Sequence, residues 1–189
     1  MKTIRTKVYQ FSELSKSAQE TVKEWWKDML NEDSYILDGF SEYCTERAKE
    51  EGFEDIELQY SLSYSQGDGL SFSGKLDTNK FLSENIRPLF TKVLSNNLTV
   101  EINGNTGRYC YASTSDIDMY LEYGKEYANI QNIIDELKGI LENKYITLCK
   151  ELEKTGYKWI ESRYEDENVI ADIEANEYYF TKDGKIFNK

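Results

Sequence analysis

The chain has 189 residues, no histidine, and a net charge of −12 from 35 acidic and 23 basic side chains. The missing imidazole excludes histidine-based triads, histidine–metal sites and the commonest general base, and the negative balance repels nucleic acid at a distance. A mean hydropathy of −0.69 with no long apolar run excludes a membrane-spanning helix.

Residues 3–11 read as a first strand, with Ile4, Val8 and Tyr9 apolar. A helix follows, opened by Ser17 with Glu20 three residues on, the spacing of a capping box. Ala18, Val22, Trp25 and Met29 form its apolar stripe, with Trp26 on the flank. A second helix is expected over 34–51, its inner face made of Ile36, Phe40, Tyr43, Cys44 and Ala48 and its end closed by Gly52.

Residues 58–76 carry the most distinctive pattern. Ile56, Leu58, Tyr60, Leu62 and Tyr64 alternate with Glu57, Gln59, Ser61 and Ser63, and Leu70, Phe72 and Leu76 repeat the period after a break. Period-2 alternation on both sides of Ser65-Gln66-Gly67-Asp68-Gly69 specifies a β-hairpin. Asp77 is the expected N-cap of a third helix, which Pro88 kinks or splits. Leu98, Val100 and Ile102 form the next strand, and Asn103-Gly104-Asn105-Thr106-Gly107 forms a turn. The return strand runs over 108–123, with a bulge expected over 112–115 where the alternation is lost. A long helix begins near Tyr127 and holds its period to Leu152, with room to continue through Trp159, Ile160 and Arg163. Val169, Ile170 and Ile173 mark a short helix, and Asp183-Gly184 turns a terminal hairpin.

Strands flanked by helices, not alternating with them, read as α+β. The two strand-turn-strand units and the N-terminal strand are expected to build an antiparallel sheet covered by helices, in a single domain over 1–189. The only proline and the absence of a Gly/Ser-rich linker support one domain. Cys44, Cys110 and Cys149 lie far apart without CxxC spacing, which fits neither a disulfide framework nor a zinc site and points to a reducing cytoplasm. The N-terminal stretch has basic residues but no apolar core, so no signal peptide is expected. The long helix would serve a homodimer as readily as a core.

Gly67 and Gly69 do not make a phosphate loop, because a strand follows them and Lys75 comes too late. Gln66 and Asp68 beside Tyr60 and Tyr64 make a recognition tip, whereas the glycines read as turn residues. Asp116 and Asp118 share one strand face and, with Glu122, offer either a solvated acidic face or a divalent-ion site. No GxSxG elbow is present.

The order FSELSKSAQETVKEWW, YSLSYSQGDGLSFSG, GRYCYAS and YFTKDGKIF resembles a family of small phage and prophage proteins. In that family an ELSxxA helix precedes a YSQGDGxxFxG hairpin and an RYxH strand. This chain has Cys110-Tyr111 where a histidine is expected nearby, so no role resting on that histidine carries over. The resemblance implies a phage accessory protein in the cytoplasm of an infected bacterial host, with anti-defence activity of the anti-CRISPR kind. On that reading the protein is a non-enzymatic inhibitor needing no cofactor. Its partner would be a host defence protein with a basic nucleic-acid-binding surface, such as a Cas nuclease. The contacts would come from Tyr64, Gln66, Gly67, Asp68 and Gly69 and from Asp116, Asp118 and Glu122. The alternative is a nucleotide- or small-molecule-binding protein that sequesters a defence signal, in which tyrosines stack the base; a carboxylate–metal hydrolase ranks third.

Overall fold

The computed structural model describes residues 6–31, 37–87, 91, 94–95, 97–104, 109–121 and 130–187. The fold is α+β: helices accompany a four-stranded antiparallel sheet, strand order β1-β2-β3-β4. The helices are α1 (Lys16–Asn31), α2 (Phe40–Glu50), α3 (Thr78–Asn85), α4 (Gln131–Arg163) and α5 (Asp166–Ala175). The strands are β1 (Phe53–Ser61), β2 (Gly69–Leu76), β3 (Leu98–Asn103) and β4 (Asp116–Leu121). The chain divides into two compact units, one formed by Met1–Asp38 with Lys158–Lys189 and the other by Gly39–Tyr157. No helix among the described residues is long and apolar enough to cross a membrane.

In the unit of the chain ends, α1 buries Ala18, Val22, Trp26 and Leu30 against Val169 and Ile173 of α5 and against Phe180. This corrects the expected face. Met29 is exposed, Trp25 is half-buried, and Trp26 is the core residue. Both stripes share Ala18 and Val22, and the two tryptophans differ by one step of about 100° around the helix. The first turn is capped by Ser15, whose Oγ accepts from the Ala18 amide at 3.4 Å, and not by Ser17. Lys23 and Lys27 reach Asp166 at 2.5 and 2.6 Å; together they hold its carboxyl down at about 2. That carboxylate sits in the first turn of α5, where the helix dipole also favours it.

The described part of the expected N-terminal strand, from residue 6 on, does not join the sheet. Tyr9 pairs instead with Phe180, through Tyr9 N–H to Phe180 O at 2.9 Å and the reverse bond at 2.8 Å. Phe180 pairs in turn with Ile186 across the Asp183-Gly184 turn, so the terminal hairpin forms as expected.

In the central unit, β1 and β2 form the expected hairpin, with Leu58 opposite Phe72 and Ser61 opposite Gly69. Asp77 caps α3, its Oδ1 accepting from the Lys80 amide at 3.0 Å. Gly52 ends α2 with φ of 90°. Phe40, Cys44 and Ala48 of α2 are buried, whereas Tyr43 is exposed. The core gathers Phe53, Phe72 and Tyr145, with the Phe72 and Tyr145 rings 4.7 Å apart. The expected bulge over 112–115 is a 3-10 turn over Ala112–Thr114, and the bulge in this sheet lies in β1 between Glu54 and Glu57. Ile36, Pro88, Glu122, Tyr123 and Tyr127, and all of the 103–107 turn except Asn103 and Gly104, fall outside the described residues.

Among the described residues β2 and β3 pair at Gly74–Ile102 and Lys75–Glu101. Among the described residues no strand flanks the front half of β2 on that side. The Tyr145 hydroxyl takes the place: it donates to Phe72 O at 2.7 Å, accepts from Phe72 N–H at 2.9 Å, and lies 3.0 Å from Ser115 Oγ. A buried backbone pair left without a partner would be costly, and a side chain supplies it here.

Candidate functional site

The loop between β1 and β2 is organised by one carboxylate. Asp68 Oδ1 accepts from the hydroxyls of Ser61 (2.9 Å), Ser63 (3.1 Å) and Ser65 (3.0 Å). Its Oδ2 accepts from the Ser65 amide at 3.0 Å and from the Tyr157 hydroxyl of α4 at 2.8 Å. Burial pushes the Asp68 carboxyl upward, but these hydrogen bonds, that from Tyr157 foremost, outweigh it and hold the group well below the usual carboxylate range. The negative charge is felt around it. Burial and then the Asp68 bond raise the Tyr157 hydroxyl, and burial and then the Asp68 charge raise the Cys110 thiol and the Glu153 carboxyl.

The half-buried Asp68 therefore points its carboxylate onto its own loop, and Gln66 forms the exposed tip. Tyr64 stands beside it with φ of 56° and 65% of its surface exposed, its ring 4.8 Å from that of Tyr157. A left-handed backbone is uncommon for an aromatic residue and is held here by the surrounding bonds. On the other side, Tyr109 and Tyr111 are exposed and stack at 5.6 Å. Gly67, with φ of 107°, leaves room for Tyr109: a Cβ there would lie 2.4 Å from its ring. A Cβ on Gly69 would lie 2.8 Å from the Cys110 carbonyl oxygen. Both glycines are thus required by close approach as well as by the turn.

The structure brings Tyr64, Gln66, Gly67 and Asp68 together in one loop, with Gly69 buried beside them at the start of β2. Asp116 and Asp118 lie elsewhere, on β4 at the edge of the sheet, where Asp118 accepts from Asn103 Nδ2 at 3.3 Å. Glu122 falls outside the described residues. Among the described residues no group of three or more Cys, Asp or Glu is placed to hold a metal ion. Lys75, the lysine that follows the glycines, is tied to Asp55 at 2.7 Å.

Sequence reasoning missed Tyr157, Tyr109, Tyr111 and the three serines. The serines had a signal: Ser61, Ser63, Ser65 and Asp68 form an SxSxSxxD pattern, in which side-chain to backbone bonds favour a tight turn. Tyr157 had none, being 89 residues from Asp68.

Compared with family models, with curated proteins and with solved structures, the chain matches none.

Proposed function

We propose that this protein is a non-catalytic inhibitor of the phage anti-defence kind, which binds and blocks a host nucleic-acid-binding effector such as a Cas nuclease. The observation that carries the reading is Tyr64. An aromatic side chain is held in a strained backbone conformation and left two-thirds exposed by a loop whose carboxylate is fully engaged in keeping it so. Residues kept in sparsely populated conformations cluster at ligand clamps and recognition sites. Rigid exposed tyrosines supply contact area at low entropic cost, and Tyr is enriched among interface anchors. Tyr64, Gln66, Tyr109 and Tyr111 would form the anchoring patch over Gly67, Asp68 and Gly69. The net charge of −12 favours a basic partner and faster encounter at low salt. Resemblance to small phage accessory proteins supplies the class of target, and with it the cytoplasm of the infected host as the setting.

Purified effectors with basic channels, Cas nucleases first, are assayed for DNA cleavage with and without the protein, at low and moderate salt. Inhibition that weakens as salt rises, and falls at least tenfold with Tyr64→Ala or Gln66→Ala, is the expected result. Unchanged cleavage across the panel would sink the proposal. The stacked Tyr109–Tyr111 pair beside two glycines also suits a planar base, which keeps nucleotide sequestration as the second reading. Its check is a melting temperature that climbs with cyclic dinucleotide concentration.

A further inference from the structure

The sheet order makes β1 and β4 its edges, and the two edges differ. β1 breaks register between Glu54 and Glu57, and Asp55 within the break has φ of 50°. A bulge carrying charges twists an edge away from incoming strands. β4 has no bulge among its described residues. Its six residues pair with the six of β3 in unbroken register, from Asp116–Asn103 to Leu121–Leu98. Among the described residues no further strand pairs with it.

The faces of β4 are chemically distinct. Ile117 and Met119 are buried on one side, and Asp116 and Asp118 lie on the other. Glu101 of β3, directly opposite Asp118, adds a third acid to that face. Among the described residues none of the three forms an ion pair, and Lys75, the β2 neighbour of Glu101, is held by Asp55.

We infer that β4 is a docking edge that takes an extended basic segment of the partner as a fifth strand. This inference rests on the reading that the partner is basic. Strand addition uses main-chain hydrogen bonds for affinity and alternate side chains for specificity. The segment that fits alternates Lys or Arg, beside Asp116 and Asp118, with apolar residues beside Ile117 and Met119. A second copy of β4 does not fit, because antiparallel self-pairing sets like charges against one another. A nucleic-acid strand is repelled by the same acids.

The test titrates the isotopically labelled full-length protein with a seven-residue peptide of alternating lysine and valine, capped at both ends. Two further peptides carry backbone N-methyl groups, one on the N–H groups facing one edge of the peptide and one on those facing the other. The expected result is amide shifts and slowed hydrogen exchange over Asp116–Leu121. One methylated peptide should bind at least tenfold more weakly than the other, and an Asp116→Asn/Asp118→Asn variant should bind the parent about tenfold more weakly. Equal binding of the two methylated peptides would reveal simple charge attraction and overturn the inference. So would no binding at all, or protection confined to residues 64–69. Register-dependent binding together with no inhibited effector would leave the docking edge intact and remove the functional reading. Inhibition that survives the double variant, without protection of β4, would do the reverse.

Discussion

Removing a single oxygen tests how the sheet is completed. In Tyr145→Phe the ring keeps its contacts with Phe72 at 4.7 Å and Phe53 at 6.2 Å, so packing is conserved and only the hydroxyl is lost. Tyr145 and Phe72 are both fully buried, so the Phe72 N–H and C=O lose their partner with no route to solvent. A buried polar group left unsatisfied costs about 1–3 kcal/mol, so two of them cost about 2–6 kcal/mol. Against a usual stability of about 5–15 kcal/mol, that loss is large. The assay is urea unfolding followed by far-UV circular dichroism. Tryptophan emission is the wrong probe, because Trp25, Trp26 and Trp159 all lie in the other unit. The midpoint should fall with the slope unchanged. Ser115→Ala, combined with Tyr145→Phe, should add little, because its partner hydroxyl is already gone. A loss below about 0.5 kcal/mol would refute the idea that this hydroxyl substitutes for a strand, since it would mean the two Phe72 groups find other partners at little cost.

The two inner glycines of α4 should respond in opposite directions. Nothing lies within 4 Å of a Cβ at Gly139, so Gly139→Ala should stabilise by about 0.5–1 kcal/mol through backbone entropy. At Gly156 a Cβ would sit 2.4 Å from Leu62 Cδ1 and 2.7 Å from Phe40 Cζ, so Gly156→Ala should destabilise by about 1–3 kcal/mol despite better propensity; both are read from urea midpoints. Asp68→Ala should release the loop, seen as faster hydrogen exchange at the Ser65 amide, and should weaken effector inhibition at least as much as Tyr64→Ala does. Burial raises the thiols of Cys44 and Cys149 from 9.0 to about 12. The unfolded chain therefore loses these protons first, so stability is complete below pH 9 and falls as pH rises toward 12. Cys44→Ala and Cys149→Ala should each flatten that alkaline slope in melting temperatures taken against pH; an unchanged slope would show that the thiols are not its source.

Alternation and turn chemistry were enough to place the hairpin of Leu58 and Phe72, the strand of Val100 and the cap at Asp77 from residue order alone. Those features depend on neighbours a few positions apart, and backbone geometry turns such spacing directly into a face or a turn. The α+β class followed from the same local signals. Four other features were decided by partners far along the chain. Trp26 rather than Trp25 became the core residue although both pack into the cluster of Val169, Ile173 and Phe180, and residue order within α1 carries no record of how those distant side chains divide between the two rings. Tyr9 pairs with Phe180, so a segment with strand character ended outside the sheet. Asp68 is held by Tyr157, and Phe72 by Tyr145, across 89 and 73 residues. A tyrosine on an amphipathic helix carries no mark of the carboxylate or backbone group its hydroxyl will meet. That choice is made only when packing brings the two elements together and burial makes an unpaired polar group too costly to leave.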